Sequence, residues 1–388
     1  MKKKRRIWME NINYFRKECS EFKLFYELTN HGFRTYFRMT RDEFEYLHSL
    51  IEDDIKKENT NYREAIGTRE RLVITLRYRI TGNSYTALSK SYRIGRSTLS
   101  EIIPVVCESL WIKLQPKVMK LPTEPEWKVI AKDFYDLWNF NNCLGAIDGK
   151  HVVIFSPRKS GSQYFKYKKT FSIVLLAIAD AHGRFIMIDV GSMGRYSDSG
   201  IFTDSNFYNV LQNNGLRLPA DEPLYEGGLP QPYVFIGDCA FPLMTHLLKP
   251  YPDHERLDKD QLIFNYRLSR ARRMVESAFG MLVHKWRIFF RPLDVKISTA
   301  KKIVKAACVL HNYVLQNEIE KTPSQSVFSD NMSRNYSEVS EQNSADFEDG
   351  FFVREYFMEY FNSVGTVSWQ NNRVQNVLDS DRITHNLH

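Results

Sequence analysis

Three acidic residues stand out because each lies where an unpaired carboxylate would be costly. Asp148 follows the apolar run Cys143–Ile147, and Asp238 follows a second short run, Tyr233–Gly237. A carboxylate at the end of a buried strand faces the crevice in which α/β folds bind ligands. Two such charges close together disfavour each other's ionisation unless a cation neutralises them. The pattern therefore predicts a cation site between the two strand ends.

Glu276 is the third acid, and it stands in a strongly basic segment. It is the only acid between Asn265 and Arg291, a span that holds seven Lys and Arg residues. On a helix, Arg272 and Arg273 share its face at spacings of four and three. One carboxylate flanked by cations suits a metal centre with a phosphate backbone lying across it. Each acid alone also has a structural interpretation: a turn or helix cap for the two aspartates, and an ion pair with Arg272 or Arg273 for Glu276.

The chemistry of this donor set points to phosphoryl transfer. Ligands that are all oxygen favour Mg²⁺ or Mn²⁺. Two such ions about 4 Å apart can hold the attacking and leaving oxygens of an in-line displacement. The sequence contains neither a GxxxxGK[ST] phosphate loop nor an HExxH zinc motif, which argues against those two alternatives.

Composition restricts the class of protein further. The 388 residues include 54 Lys and Arg against 46 Asp and Glu, a formal charge of +8, which favours a polyanionic partner. With 43% hydrophobic and 26% charged residues, the composition is that of a globular protein. The apolar run Ile173–Ala179 is too short to cross a bilayer, so we expect no membrane association. Five scattered cysteines without a CxxC pair fit a reducing compartment.

Two basic clusters suggest where the charge is used. Lys2–Arg6 is either a solvated tail or a nuclear address or DNA-contacting arm, and we expect a nuclear protein. Ser156–Thr170 contains no acid, and aromatic residues alternate there with cations. Such a loop can bind phosphates and stack on unpaired bases, or it can be an exposed loop whose aromatics pack on the core. The candidate DNA-binding residues in this loop are Arg158, Lys159, Lys166, Lys168 and Lys169.

Residues 33–115 are predicted to be helical. Thr40–Glu43 matches a capping box, and a second helix should run from Thr68 to a stop at residues 81–83. Next come a short helix over Tyr85–Tyr92, a turn, and a helix from Arg96 that Pro104 ends or kinks. This is the layout of a helix-turn-helix, whose second helix would place four side chains at base edges and phosphates. They are Arg96, Ser97, Thr98 and Ser100. The alternative is a pair of packed helices that touches no DNA.

The remaining pattern predicts a mixed α/β sheet with helices against it. Ser172–Ala179 and Arg184–Val190 form a predicted hairpin, and helices are expected over residues 199–213 and 265–289. The predicted organisation has six parts: a basic N-terminal segment 1–32, a helical domain 33–115, a connector 116–139, the α/β domain 140–320, a flexible linker 321–350 and a C-terminal helical tail 351–388. That tail either docks on the core or contacts an oligomer or partner.

Several long motifs resemble the PIF/Harbinger-type DDE transposases and the nucleases derived from them. The strings LGAIDGKHV, FIGDCAFPLM and NYRLSRARRMVESAFGMLVHKWRIF carry the resemblance, which runs from about Phe33 to Glu318. Further matches are GSMGRYSDSGIF, KYKKTFSIVLLAIAD, the LHN at 310–312 and SVGTVSWQ at 363–370.

The resemblance implies an α/β fold of the RNase H-like type, preceded by the helical domain, with a catalytic and metal-binding DDE triad of Asp148, Asp238 and Glu276. It also implies a divalent cation, Mg²⁺ or Mn²⁺. Asp198 falls where the family usually has a His-Asp pair, with Ser197 in place of the His, and is a fourth metal candidate. The family further implies a separately encoded Myb-like DNA-binding partner.

We therefore expect a DNA endonuclease or transposase that cleaves and joins phosphodiester bonds by a two-metal mechanism. Arg272, Arg273 and the basic loop would hold the DNA backbone, and a homo-oligomer is allowed. His151 is interpreted as a hydrogen-bonded strand residue and is left out of the site. Two alternatives remain open: a domesticated, non-cleaving DNA-binding or chromatin protein on the same scaffold, and a helix-turn-helix transcription regulator.

Overall fold

A computed structural model describes residues 11–61, 64–157, 160–165, 170–252, 257–321 and 345–375. The helices are α1 Arg16–Cys19, α2 Leu24–Glu27, α3 Asn30–Phe37, α4 Arg41–Ile55, α5 Thr68–Thr81, α6 Tyr85–Tyr92, α7 Arg96–Val118, α8 Glu124–Trp138, α9 Asp198–Thr203, α10 Asn206–Gln212, α11 Lys259–Lys285, α12 Ile297–Lys321 and α13 Ala345–Asn362. The strands are β1 Cys143–Ile154, β2 Phe171–Ala179, β3 Phe185–Met193, β4 Glu222–Pro223, β5 Pro230–Gln231, β6 Val234–Ile236 and β7 Leu247–Leu248. Among these helices, none is long and apolar enough to cross a membrane.

The N-terminal half is helical, as predicted. The Thr40 capping box is present, and α5 ends at Gly82, whose φ of 67° is the left-handed conformation that glycine adopts easily. The prediction that Pro104 ends or kinks the next helix is wrong about its end, since α7 runs for 23 residues through Pro104 and Pro116. Burial explains this continuity, because α4, α5 and α12 all pack along α7.

A mixed sheet forms the centre of the C-terminal half. Its strands lie in the order β3-β2-β1-β6-β7; β1 is antiparallel to β2 and parallel to β6. The predicted hairpin between β2 and β3 is confirmed. Its turn places Gly183 at a φ of 84°, and the Asp180 carboxylate accepts hydrogen bonds from the backbone of His182 and Arg184.

Two segments differ from their predicted form. The connector predicted for 116–139 contains α8, a capped helix whose Trp127 and Phe134 are at most 1% exposed. The helix predicted over 199–213 is two short helices, α9 and α10, with Ser205 capping the second. Both differences add helices that contact the sheet, α8 against the central strand β1 and α10 against β3.

The LHN motif joins the helical and sheet halves. In the middle of α12, His311 Nε2 lies 2.9 Å from the carbonyl oxygen of Gly183. Asn312 Oδ1 accepts from the backbone N–H of Phe185, and its Nδ2 donates to the carbonyl oxygens of Phe185 and Val118. The motif therefore fixes the β2–β3 hairpin against α7, which is a structural role.

The C-terminal residues dock on the sheet domain. Helix α13 begins at Ala345, so the linker predicted for 321–350 is already helical in its last six residues. Phe357 and Phe361 are fully buried and stack near Phe140. Arg267 of α11, 2% exposed, donates to the carbonyl oxygen of Gly365 and to Gln370 Oε1. The docked-helix interpretation therefore describes this segment.

Candidate active site

Asp148 and Asp238 lie side by side on neighbouring parallel strands. The β1–β6 register pairs Ala146 with Ile236, and two further residues along each chain lead to the two acids. Parallel neighbours are about 4.8 Å apart, so both side chains emerge close together. The prediction that Asp148 ends its strand is wrong: β1 continues to Ile154 because its antiparallel partner β2 supports it. What ends near Asp148 is the pairing with β6.

Helix α11 brings Glu276 and Arg272 to the same place. Asp258 begins the helix with a capping box, and the helix packs across β1, β2 and β6. Arg272 Nη2 lies 2.6 Å from Glu276 Oε1, and its Nη1 lies 3.8 Å from Asp148 Oδ2. One guanidinium therefore bridges an acid of the helix and an acid of the sheet.

The electrostatics show four acids acting on one another. Burial raises the pKa of Asp148 from its usual 3.8 to about 7; Arg272 opposes this, while the charges of Asp238 and Asp198 add to it. Burial also raises the pKa of Asp238, against the opposing charge of Arg272 and with a further increase from Glu276. Burial lowers the pKa of Arg272, but Glu276, Asp148 and Asp238 outweigh it and the pKa rises. Negative charge thus exceeds positive charge at this point.

Asp198 approaches from the start of α9. Ser197 caps this helix and Asp198 is its first residue. A β-carbon added at Gly149 would lie only 2.5 Å from Asp198 Oδ1, so glycine at 149 is what allows the approach. The serine at the position of the family's His therefore serves as a helix cap, and Asp198 stays near Asp148.

Two lysines that sequence reasoning missed lie beside these acids. Lys150 is two residues after Asp148 on β1, with its Nζ 5.7 Å from the ring centre of Phe279. Burial lowers its pKa and the charge of Asp148 opposes this. Lys249 follows β7, where Gly237 N–H donates to the carbonyl oxygen of Leu248. Strand alternation could have revealed Lys150, whereas a two-residue strand gives no periodic signal for Lys249.

Lys249 is partly buried and its ammonium has no hydrogen bond or ion pair to any residue of the described ranges. Burial and the nearby charge of Arg354 lower its pKa, and Asp238 and Cys239 oppose this. Arg354 comes from α13 and lies over the Tyr251 ring, 3.9 Å from its centre. A lysine next to the acids with unused donors is suited to holding a phosphate.

The donor set fits a hard divalent cation, although the ligands are not preassembled. In the part of the chain that the structure describes, no three His, Cys, Asp or Glu side chains converge tightly enough to hold a metal ion. Asp148 and Asp238 nevertheless supply neighbouring carboxylates whose pKa is raised mainly by burial and further by neighbouring acids, so that negative charge is in excess here despite Arg272. A hard cation bound by oxygen ligands would correct that imbalance.

The predicted DNA-binding residues have different outcomes. Arg96, Ser97 and Ser100 are exposed at the start of α7 and Thr98 is half-buried. Helices α6 and α7 are present with the predicted turn, but contact with DNA stays a prediction.

Arg273 is half-buried next to Arg272. Arg158, Lys159, Lys166, Lys168 and Lys169 lie outside the described residues, as does the Lys2–Arg6 cluster. His151 Nδ1 lies 2.9 Å from Ser172 Oγ, consistent with a hydrogen-bonded strand residue.

The chain has a five-stranded mixed sheet with flanking helices, an acid on β1, an acid just after β6 and an acid on α11. These features define the fold class, an RNase H-like fold of the DDE type. Residues 147–312 match the family described as DDE superfamily endonuclease, a span that contains Asp148, Asp198, Asp238 and Glu276. This segment of the chain is therefore similar to the DDE superfamily endonuclease domains.

Several named relatives are similar to this chain over about three quarters of its length. An ALP1-like protein of Arabidopsis thaliana is 28% identical over 74% of this chain and 71% of its own length. The Arabidopsis protein named antagonist of like heterochromatin protein 1 is 25% identical over 74% and 73%. HARBI1 of Rattus norvegicus, named as a candidate nuclease, is 23% identical over 76% and 80%. These comparisons confirm the resemblance to Harbinger-type transposases and their derived nucleases. No solved structure matches the chain.

Proposed function

We propose that this protein is a metal-dependent DNA endonuclease of the transposase type, which cleaves and joins phosphodiester bonds. The observation that carries the proposal is the meeting of Asp148, Asp238 and Glu276 around the single guanidinium of Arg272. Three acids from separate elements seldom converge without a cationic ligand or a catalytic role. The endonuclease family match and the nuclease name of the rat relative support the same function.

Asp148, Asp238 and Glu276 would hold the divalent ions, with Asp198 as a further ligand. When bound, Mg²⁺ or Mn²⁺ supplies Lewis acidity for the attacking hydroxyl and the leaving 3′-oxygen of a phosphodiester. The protein's own cations do the positioning. Arg272 can bind two phosphate oxygens at once through its planar fork, and Lys249 offers a point charge beside Asp238. Together they hold the backbone in line over the acids.

The rest of the DNA path would come from the basic loop and from the start of α7. Arg273 and the loop residues Arg158, Lys159, Lys166, Lys168 and Lys169 would contact phosphates, and Arg96, Ser97, Thr98 and Ser100 would reach a groove. We further propose a nuclear protein that acts with a separately encoded Myb-like partner. The basic run Lys2–Arg6 and the resemblance to Harbinger-type elements support these two points.

The second candidate is a domesticated, non-cleaving chromatin protein. Two observations favour it. One relative is named as an antagonist of a heterochromatin protein. In the described residues the acids also pair with Arg272 and do not form a group of three ligands ready to bind a metal ion. Such a protein would keep the fold and the DNA contacts without strand cleavage.

Strand cleavage distinguishes the two candidates. Wild type and Asp238→Asn are incubated with Mg²⁺ or Mn²⁺, the proposed Myb-like partner, and DNA ends from any inverted repeats found beside the gene. Asp136→Asn, an exposed acid of α8 that pairs with Lys132, is the matched control. We expect Asp238→Asn to lose more than about a hundredfold in rate, beyond the loss typical of an outer-sphere partner, while the control cuts like wild type. Equal cutting by wild type and Asp238→Asn refutes the enzyme, and DNA binding without cutting by wild type selects the chromatin protein.

A further inference from the structure

The guanidinium of Arg272 occupies the centre of the acidic cluster. Its side chain is 17% exposed and reaches Glu276 Oε1 at 2.6 Å and Asp148 Oδ2 at 3.8 Å. Its charge also acts on Asp238. The carboxylates that would ligate a divalent ion are therefore already shared with a resident cation.

A guanidinium and a hard metal ion compete for these oxygens. Mg²⁺ and Mn²⁺ need close, well-directed carboxylate oxygens, and an ion pair to Arg uses the same lone pairs. The Arg272 guanidinium and a metal ion cannot lie between Asp148 and Glu276 at the same time, because their positive charges repel at such short distances. A metal ion can enter this position only after the Arg272 head group has moved away.

A DNA phosphate offers Arg272 an alternative partner. The guanidinium fork binds phosphate oxygens in the same bidentate way as carboxylate oxygens. Glu276, its closer partner, is 40% exposed, so that pair opens toward solvent. The charges of Lys249 and Asp238 act on each other, so Lys249 adds positive potential for a phosphate approaching the cluster.

We propose that Arg272 is an internal counter-ion that exchanges between Asp148–Glu276 and a DNA phosphate, so that DNA binding opens the carboxylates to the metal. This inference rests on the proposed nuclease function and adds an order of assembly to it. DNA raises the affinity for the metal, and the metal raises the affinity for DNA by the same factor, because coupling between two sites is reciprocal. The acids are thereby kept from loading metal until a substrate is present.

Metal affinity measured apart from cleavage tests the exchange. Mn²⁺ binding is followed by electron paramagnetic resonance of the free ion, with and without a saturating duplex, which presents its phosphates whether cut or intact. For wild type we expect DNA to tighten Mn²⁺ binding by about tenfold or more, the size of one charge-assisted contact. Arg272→Met should bind Mn²⁺ about tenfold tighter than wild type without DNA. It should equal wild type with saturating DNA.

Two variants separate this exchange from a general charge effect. Lys259→Met removes an exposed charge from the start of the same helix and should leave Mn²⁺ affinity within about threefold of wild type. Arg272→Lys keeps the competing charge and should also stay close to wild type. If Arg272→Met fails to fold by circular dichroism, the Lys variant and the wild-type comparison with and without DNA decide.

The outcomes distinguish this inference from the proposed function. The exchange is overturned if Arg272→Met without DNA binds Mn²⁺ no more tightly than wild type. It is also overturned if DNA does not change the Mn²⁺ affinity of wild type. The nuclease proposal survives both results. An absence of Mn²⁺ binding in every variant, with and without DNA, overturns the metal-dependent nuclease itself and the exchange with it.

Discussion

Replacing Asp148 by Asn should stabilise the metal-free protein at alkaline pH. The pKa of Asp148 is about 7 in the fold against a usual 3.8. Each tenfold change in an acid constant is worth about 1.4 kcal/mol, so ionising this group in the fold costs on the order of 4 kcal/mol. Asn keeps the side-chain oxygen that accepts from Gly149 N–H at 2.7 Å and removes only the charge. With a side-chain exposure of 19% and some relaxation, we expect a gain of about 2–4 kcal/mol at pH 8.

The pH dependence follows from the direction of the shift. Because the folded protein binds the Asp148 proton more tightly than the unfolded chain does, wild-type stability falls as the pH rises from about 4 to about 7 and then levels off. The Asn variant lacks this contribution, so the two proteins should agree near pH 4 and diverge toward pH 8. Urea unfolding with EDTA, at several pH values across this range, measures the difference.

Metal and a matched control complete the experiment. Saturating Mg²⁺ should stabilise wild type, by about 2.7 kcal/mol at a hundred times the dissociation constant, and so reduce the advantage of the variant. The change Asp136→Asn, at an exposed position of α8, should alter stability by less than about 1 kcal/mol at every pH. If the free energies of unfolding of wild type and Asp148→Asn differ by the same amount at pH 5 and pH 8, the Asp148 charge is not what destabilises the wild-type fold.

Two further changes probe the neighbours of the acids. Lys249→Gln should weaken duplex binding and reduce the slope of log affinity against log salt concentration by about 0.9, the loss of one phosphate contact. Fluorescence anisotropy at several salt concentrations measures this slope, with the exposed Lys259→Gln as control. An unchanged slope would contradict a phosphate contact by Lys249. Gly149→Ala should cost about 1–3 kcal/mol, because its β-carbon would lie 2.5 Å from Asp198 Oδ1. Adding Asp198→Ser should restore most of that stability in urea unfolding, whereas additive losses would show that the two residues do not meet.

The sequence alone predicted those parts of the fold and the site that depend on local residue spacing. Apolar runs followed by an acid located Asp148 and Asp238, and helical spacing placed Arg272 on the Glu276 face. The capping box at Thr40 and the stop at Gly82 were also predicted and are present. Each of these features depends on residues within about one helical turn or one strand.

What the sequence could not show depends on distant partners. Strand β1 continues past Asp148 because β2, which follows a loop, pairs with all of its second half. A connector was predicted for 116–139, yet Pro125 in that segment stands in the first turn of α8, where a missing N–H costs little. Lys249 was missed because β7 is ordered by its pairing with β6 and has no pattern of its own. Strand pairing decided the cases of β1 and Lys249, whereas the Thr123 capping box that begins α8 is a local signal that sequence reasoning missed.

The anchoring of Arg267 has a consequence for how this protein can be divided. Helix α11 carries Arg272 and Glu276, and Arg267, on the same helix, is held by Gly365 and Gln370, far beyond residue 312 where the endonuclease family match ends. A fragment trimmed to 147–312 would leave this guanidinium without its acceptors inside an apolar interior. A truncated or fused protein that keeps this site intact must therefore include the downstream segment through residue 370. The smallest unit that can be transferred whole is thus longer than the segment that carries the family motifs.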